Sequence, residues 1–411
     1  MRIGIFTDTY PPFINGVSTS IKMLENALRK KGHKVYIVTV NPKDLRYIYE
    51  ENGRVIRIPG IPIGIYDYRL TTAYPIRAVN KIKKWNLDVI HTHTEFGIGT
   101  FARVIGKQFD IPVVHTYHTM YEDYVHYITK GYFSESSKKL VEYITKFYCD
   151  TTIKELIVPT KKTYDLFKEK YKYDRNVHVI PTGIEIERFY KEKINQQKLI
   201  KLKENLNIEK DDIVAIFLGR VASEKNVEFL IQNHSNLIKK NKKFKLLIVG
   251  DGPGLEEYKK MVKKLKLEDN VIFAGKVPWE EVPYYYGISD IFVTASHTET
   301  QGLTVVEAMA ANLPVVALDD DAFRNVVIDV LTGYLFKNKK DYINVMFKLI
   351  QNKEIRENMG NQGRINSEIY SSKYFAERVL SVYKLAQKGK SKNKSFISRF
   401  KRTFEKGIYG K

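Results

Sequence analysis

Short apolar runs alternate along the chain with segments whose hydrophobic positions recur every three or four residues. The runs are Ile3–Phe6, Val35–Val40, Val55–Ile58, Asp88–His93, Val113–His118 and Leu156–Thr160, closed by Val177–Ile180. Between the first two, Val17–Lys31 carries Ile21, Leu24 and Leu28 at helical spacing and stops at Gly32. Val/Ile-rich strands without polar alternation, separated by amphipathic helices, predict a parallel sheet covered on both faces. The pattern then restarts with Ile213–Leu218, Phe244–Val249, Val271–Ala274, Ile291–Ala295, Val315–Leu318 and Tyr334–Phe336. The sequence therefore predicts an α/β protein of two doubly wound halves facing across a cleft, with ligands beyond the carboxyl ends of the strands.

The expected boundaries are a first domain over residues 1–190, a second over 191–369, a helix over 370–387 crossing back to the first, and a basic tail over 388–411. Residues 190–212 are polar and Lys-rich and read as a partly helical linker. A length of 411 residues suits two domains. The hydrophobic share of 43% and charged share of 28% exclude a disordered chain. No apolar run is long enough to span a bilayer, and the N-terminus lacks the pattern of a signal peptide. The single Cys149 excludes an internal disulfide and a Cys-rich metal site. The 68 Lys/Arg against 47 Asp/Glu give +21, which calls for an anionic partner: nucleic acid, anionic lipid or a phosphorylated ligand. No nucleic-acid module is recognisable, which argues against the first.

Two regions concentrate basic charge. Residues 71–85 place Arg77, Lys81 and Lys84 on one stripe and Ile76, Val79 and Ile82 on another. They read as an ordinary surface helix or as a contact for anionic headgroups. The tail carries nine Lys/Arg and one Glu, with Phe396, Phe400 and Phe404 four residues apart. It reads as a solvated tail or as an interfacial membrane helix.

Four stretches carry candidate chemistry. Glu299 and Glu307 bracket Gly302, Leu303 and Thr304, where a helix is expected from about Gln301. Free amides at a helix N-terminus favour a phosphate. Eight helical residues rise about 12 Å, enough for one carboxylate to meet a sugar and the other a ribose. The plainer alternative is a cap and a solvated face. A glycosidase pair fits this spacing poorly. Gly219-Arg220-Val-Ala-Ser-Glu224-Lys225 follows a strand; its cations form either a diphosphate clamp or an ion pair with Glu224. Val249–Gly254 is a Gly-rich turn and weak evidence alone. Asp8–Val17 joins a strand to a helix, and Gly16 permits close backbone approach, although the full dinucleotide fingerprint is missing. His91, His93, His115 and His118 end two predicted strands and read as polar cleft lining, as core, or more remotely as metal ligands.

In this order and spacing, Gly-Arg-x3-Glu-Lys, Glu-x7-Glu, the Gly16 loop and His118 resemble the retaining glycosyltransferases of family 4, which have the GT-B fold. The resemblance implies that Arg220 and Lys225 hold the donor diphosphate and Glu307 the ribose. It implies that Glu299 and His118 meet the transferred sugar, that the amides of Gly302–Thr304 touch sugar or diphosphate, and that the backbone at Val277 meets the base. A narrower resemblance, in residues 118–127 and 298–304, is to bacterial peripheral membrane enzymes that move glucose from UDP-glucose to the 3-hydroxyl of 1,2-diacylglycerol at the cytoplasmic face. That likeness makes Asp123, Tyr124, His126, Arg77, Lys81 and Lys84 candidates for acceptor and membrane contact. No motif implies a required cofactor beyond the donor UDP-glucose, and a divalent ion such as Mg2+ could still assist as an activator. Another sugar donor, or a phosphatidylinositol-type lipid or polysaccharide intermediate as acceptor, is the alternative. Asp319–Arg324 departs from the Gly-rich segment followed by Glu that many relatives carry, and Gln301 replaces an aromatic frequent there.

Overall fold

The structure is a computed structural model that describes residues 1–13, 15–62, 69–71, 74–95, 97–118, 152–297, 299 and 301–388. The candidates Asp123, Tyr124 and His126 and the basic tail after residue 388 lie outside the described residues. The chain forms two compact units, residues 1–183 with 372–411, and residues 184–371.

In the first unit the strands are β1 (Arg2–Phe6), β2 (Lys34–Val40), β3 (Ile48–Glu50), β4 (Val55–Ile58), β5 (Gly60–Pro62), β6 (Arg69–Thr71), β7 (Val89–Thr92), β8 (Val113–Thr116), β9 (Ile153–Val158) and β10 (Val177–Val179). Eight of them form one sheet in the order β10-β9-β8-β7-β1-β2-β4-β3, with β5 and β6 a separate pair. All sheet neighbours are parallel except β3, which runs antiparallel to β4 at the edge. Residues of β1 alternate between two cores. Phe6 packs with Ile98 and Phe101 on one face, and Ile3 and Ile5 pack with Leu24 and Leu28 on the other. That is why no polar alternation marks the strands. The helix over 372–388 belongs to this unit, burying Phe375, Val379, Val382 and Tyr383 against the second face.

Helix α1 (Gly16–Lys30) starts where Asn15 caps it, its side chain accepting from the Ser18 amide at 2.9 Å. Helix α2 (Ile76–Trp85) buries Ala78, Val79, Ile82 and Trp85. Ile76 does not join that face. It stands at the first turn and is 67% exposed. Helix α3 (Gly97–Gln108) follows β7.

The second unit holds β11 (Ile213–Leu218), β12 (Phe244–Val249), β13 (Val271–Gly275), β14 (Ile291–Thr294), β15 (Val315–Leu318) and β16 (Gly333–Phe336). They form an all-parallel sheet in the order β13-β12-β11-β14-β15-β16. Strand order reverses between β11 and β14, and this switch point is where the loops leaving two adjacent strands diverge and leave room for a ligand. The switch point carries the two charged motifs, since one follows β11 and the other follows β14.

The unit begins at Ile184, not after residue 190. Ile184, Ile186, Phe189 and Tyr190 are buried in its core, and the Ile184 amide donates to the Tyr370 carbonyl at 2.9 Å. Residues 190–212 are partly helical as expected, but they pack on this unit instead of only linking two domains. They hold a helix over Gln196–Asn205 and bury Ile194 and Ile208.

Candidate active site

In the second unit, Gly219 leaves β11 with φ +158° and turns the chain into Arg220. Ser223–Lys225 form one 3-10 turn, Asn226 adopts a left-handed conformation, and α4 (Val227–Ile238) begins. The neighbouring turn after β12 interlocks with this one. The Val221 amide donates to the Asp251 carbonyl and the Gly254 amide to the Val221 carbonyl, both at 3.0 Å. A Cβ on Gly250 would sit 1.8 Å from the Gly219 carbonyl oxygen. The Gly-rich turn is therefore a backbone crossing that supports the Arg220 loop.

Arg220 is left with its side chain 66% exposed, and its ion pair with Glu224 is long, at 3.7 Å. Lys225 is different. Its Nζ lies 2.5 Å from Glu299 Oε1, with side-chain exposures of 19% and 23%. The two motifs thus meet through this pair. The ammonium is held in place by the carboxylate and keeps donors for a second anion.

The helix carrying Glu307, α6 (Leu303–Ala310), begins at Leu303, two residues after the expected start. Gly302 is its cap in a left-handed conformation, φ +67°. Glu299 consequently lies in the loop before the helix, and helical rise does not set its distance from Glu307. The amides of Leu303 and Thr304 in the first turn have no acceptor inside the helix.

Glu307 is held by residues that neither motif contains. Tyr286, on the short helix α5 (Val282–Gly287), is fully buried and donates its hydroxyl to Glu307 Oε2 at 2.9 Å and to the Thr304 carbonyl at 3.2 Å. Burial pushes the Glu307 carboxyl up to about 7, with the Tyr286 hydroxyl and the Arg188 charge pulling against it. Arg188 stacks on the Trp279 ring at 3.2 Å and donates to the Trp279 carbonyl at 2.7 Å. Val277 follows β13 and packs partly buried on the core. The departing stretch is tied up internally: Arg324 donates to Asp319 at 2.6 Å and to Asp321 at 2.8 Å.

The first unit gathers its candidates at the carboxyl ends of β1, β7 and β8. Gly16 opens α1, and no atom of the described residues lies within 4 Å of a Cβ built there, so a ligand can approach its backbone. Asp8 accepts from the Ile98 amide at 3.0 Å and the Thr94 hydroxyl at 2.5 Å, tying the β1 loop to α3. Tyr10 donates to the buried Glu25 at 2.6 Å.

The four histidines form one connected group. His91 is bonded by the Tyr383 hydroxyl and the Thr116 hydroxyl, each at 2.7 Å. His115 meets Thr92 at 2.6 Å and Glu95 at 3.2 Å. His93 Nδ1 lies 2.9 Å from His118 Nε2. Burial holds His91 and His93 well below the usual imidazole range and, with a smaller contribution from His115, His118 down to about 3. These rings are neutral at physiological pH. Among the described residues no group of three or more His, Cys, Asp or Glu is placed to hold a metal ion, and no helix is long and apolar enough to cross a membrane.

Arg77 and Lys84 are exposed on α2, with the Arg77 guanidinium 5.9 Å from the Tyr47 ring centre. Lys81 instead lies along Gly53, where a Cβ would meet its Cε at 2.7 Å.

Residues 14–188 match the family model described as Glycosyltransferase Family 4, and residues 200–366 match Glycosyl transferases group 1. The chain is 36% identical over 390 residues to the alpha-monoglucosyldiacylglycerol synthase of Streptococcus pneumoniae, covering 93% of this chain and 85% of that protein. It is 36% identical over 388 residues to the protein of the same name from Acholeplasma laidlawii, covering 93% and 96%. Among solved structures, sucrose-phosphate synthase from Thermosynechococcus elongatus aligns with TM-score 0.69 at 19% identity, over 93% of this chain and 98% of that one. With its charged loops at the switch point of a Rossmann-like unit, and with these relatives along nearly its whole length, the chain belongs to glycosyltransferase family 4, as an enzyme of the GT-B fold.

Proposed function

We propose that this enzyme transfers glucose from UDP-glucose to the 3-hydroxyl of 1,2-diacylglycerol, with retention, at the surface of a membrane. The observation that carries the reading is the cage at the switch point of the second unit: an exposed Arg220 guanidinium with a long ion pair to Glu224, the Lys225 ammonium held by Glu299, and the Leu303 and Thr304 amides, which have no acceptor inside α6. The two relatives named alpha-monoglucosyldiacylglycerol synthase support the choice of sugar and acceptor.

In this reading Arg220, Lys225 and the amides of Gly302–Thr304 hold the diphosphate, Glu307 accepts from the ribose hydroxyls, and the backbone at Val277 meets the base. Glu299 and His118 meet the glucose. The bond from the anomeric carbon to the β-phosphate oxygen breaks and that carbon bonds to the acceptor oxygen on the same face. The acceptor hydroxyl proton passes to the departing phosphate. Fixed cations and amides stabilise the charge that develops there.

The exposed cations Arg77 and Lys84, with Ile76 exposed at the same end of α2 as Arg77, suit an anionic lipid surface at the cytoplasmic face. A second reading, another sugar or acceptor, is favoured by the Asp319–Arg324 stretch, where Arg324 pairs with Asp319 and Asp321, and Asp320 accepts from the Ala322 amide. A donor panel assayed against diacylglycerol in mixed micelles tests both. Turnover with UDP-glucose and release of monoglucosyldiacylglycerol is the expected result. Preference for another donor, or no turnover with diacylglycerol, overturns the first reading.

A further inference from the structure

His118 is half-buried and is the one histidine of the group read as meeting the sugar, whereas His93 behind it is only 2% exposed. The two rings are nearly coplanar, at 23° with centroids 5.2 Å apart. Their facing nitrogens, His93 Nδ1 and His118 Nε2, are 2.9 Å apart, so one must carry a proton and the other must not. The opposite nitrogen of His93, Nε2, is enclosed and has no partner among the described residues. A buried N–H without an acceptor costs more than a bare lone pair without a donor, since orphaned donors are the rarer case. The proton of His93 therefore sits on Nδ1 and is donated to His118 Nε2. With its Nε2 accepting, neutral His118 carries its own proton on Nδ1. His91 stands 4.0 Å from His93, centre to centre, with both of its nitrogens engaged by Tyr383 and Thr116.

We propose that His93 is a positioning residue that holds His118 in its Nδ1-protonated form, so that His118 offers a fixed N–H donor to a hydroxyl of the transferred sugar. The inference rests on the reading of His118 given above. It makes the buried histidine a determinant of turnover without contact to substrate.

The test uses the geometry of amide side chains. Asparagine can place its nitrogen where Nδ1 of histidine lies, and glutamine places one where Nε2 lies. His93→Gln is expected to lower kcat by about 30-fold, the scale of losing a group that orients a site residue, with the UDP-glucose KM within about twofold. His93→Asn is expected to recover most of that loss. Equal activity in the two variants, or a loss confined to KM, overturns the proposal. Should both variants fail to fold, nitrogen-15 histidine spectra of the unmodified protein decide, with His118 signals assigned by their loss in His118→Ala. Protonated Nδ1 and bare Nε2 on His118 support the proposal, and the reverse overturns it. His118→Ala turnover separates the two levels. Full activity there removes the reading of His118 itself, whereas a large loss beside an active His93→Gln removes only the role of His93.

Discussion

Replacing Glu307 by glutamine should make the protein more stable and a poorer binder of nucleotide, and the two effects have a common cause. Burial raises the carboxyl from 4.5 to about 7. An acid whose folded value lies above its unfolded value holds its proton more tightly in the fold. Its contribution to stability is full below about pH 4.5 and is lost as pH rises through about 7. At about 1.4 kcal/mol per tenfold change, the gap sets a ceiling of about 3 kcal/mol above pH 7. The carboxyl keeps some access to water, so about half of that ceiling, about 1.5 kcal/mol, is a realistic expectation. Glutamine keeps the shape and an acceptor for the Tyr286 hydroxyl while removing the charge. The variant should therefore melt about 3–6 °C higher than the parent at pH 8, the scale for a unit of this size, and nearly with it at pH 5. If Glu307 accepts from the ribose as proposed, the variant gives up a charged acceptor worth about 1.5–3 kcal/mol, so UDP should bind roughly 10- to 100-fold more weakly at pH 8. Scanning calorimetry at the two pH values and calorimetric titration with UDP measure both. An equal melting offset at pH 5 and pH 8 would refute the electrostatic argument. Unchanged UDP affinity would remove Glu307 from the nucleotide site.

Arg220→Ala should lower kcat by about 100- to 1000-fold with no change in melting temperature, because the side chain is mostly exposed and among the described residues makes only a long ion pair; steady-state assays and calorimetry check it. Gly250→Ala should lower soluble yield and melting temperature sharply, since the new Cβ would sit 1.8 Å from the Gly219 carbonyl oxygen and φ is +139°; a normal melt would contradict the crossing described above. Arg77→Glu with Lys84→Glu should weaken sedimentation with anionic vesicles by at least about tenfold, at about 1 kcal/mol per cation, and leave neutral vesicles unaffected.

The parallel strands were legible because both faces of each sheet are buried, so Ile213–Leu218 reads as an unbroken apolar run. The edge strand β3 and the pair β5–β6 are only three residues each and leave no periodicity to detect. Residues 190–212 misled because their core contacts come from widely spaced apolar residues such as Ile194 and Ile208 in a Lys-rich background. The helix after Glu299 starts late because Gly302 takes a left-handed conformation, which composition does not announce. The cations and carboxylates of the candidate site stood out through their spacing. Their supports did not. Tyr286 sits in a run of three tyrosines with nothing to single it out. Tyr383 reaches His91 across 292 residues of sequence, a pairing that only the fold creates.

On the proposed function, the loops after β11 and β14 bind the diphosphate of the sugar donor. A crystal structure of the protein with UDP tests it most directly. Phosphate oxygens should lie about 3 Å from the Arg220 guanidinium, Lys225 Nζ and the Leu303 and Thr304 amides. A diphosphate bound away from all of these groups would contradict it.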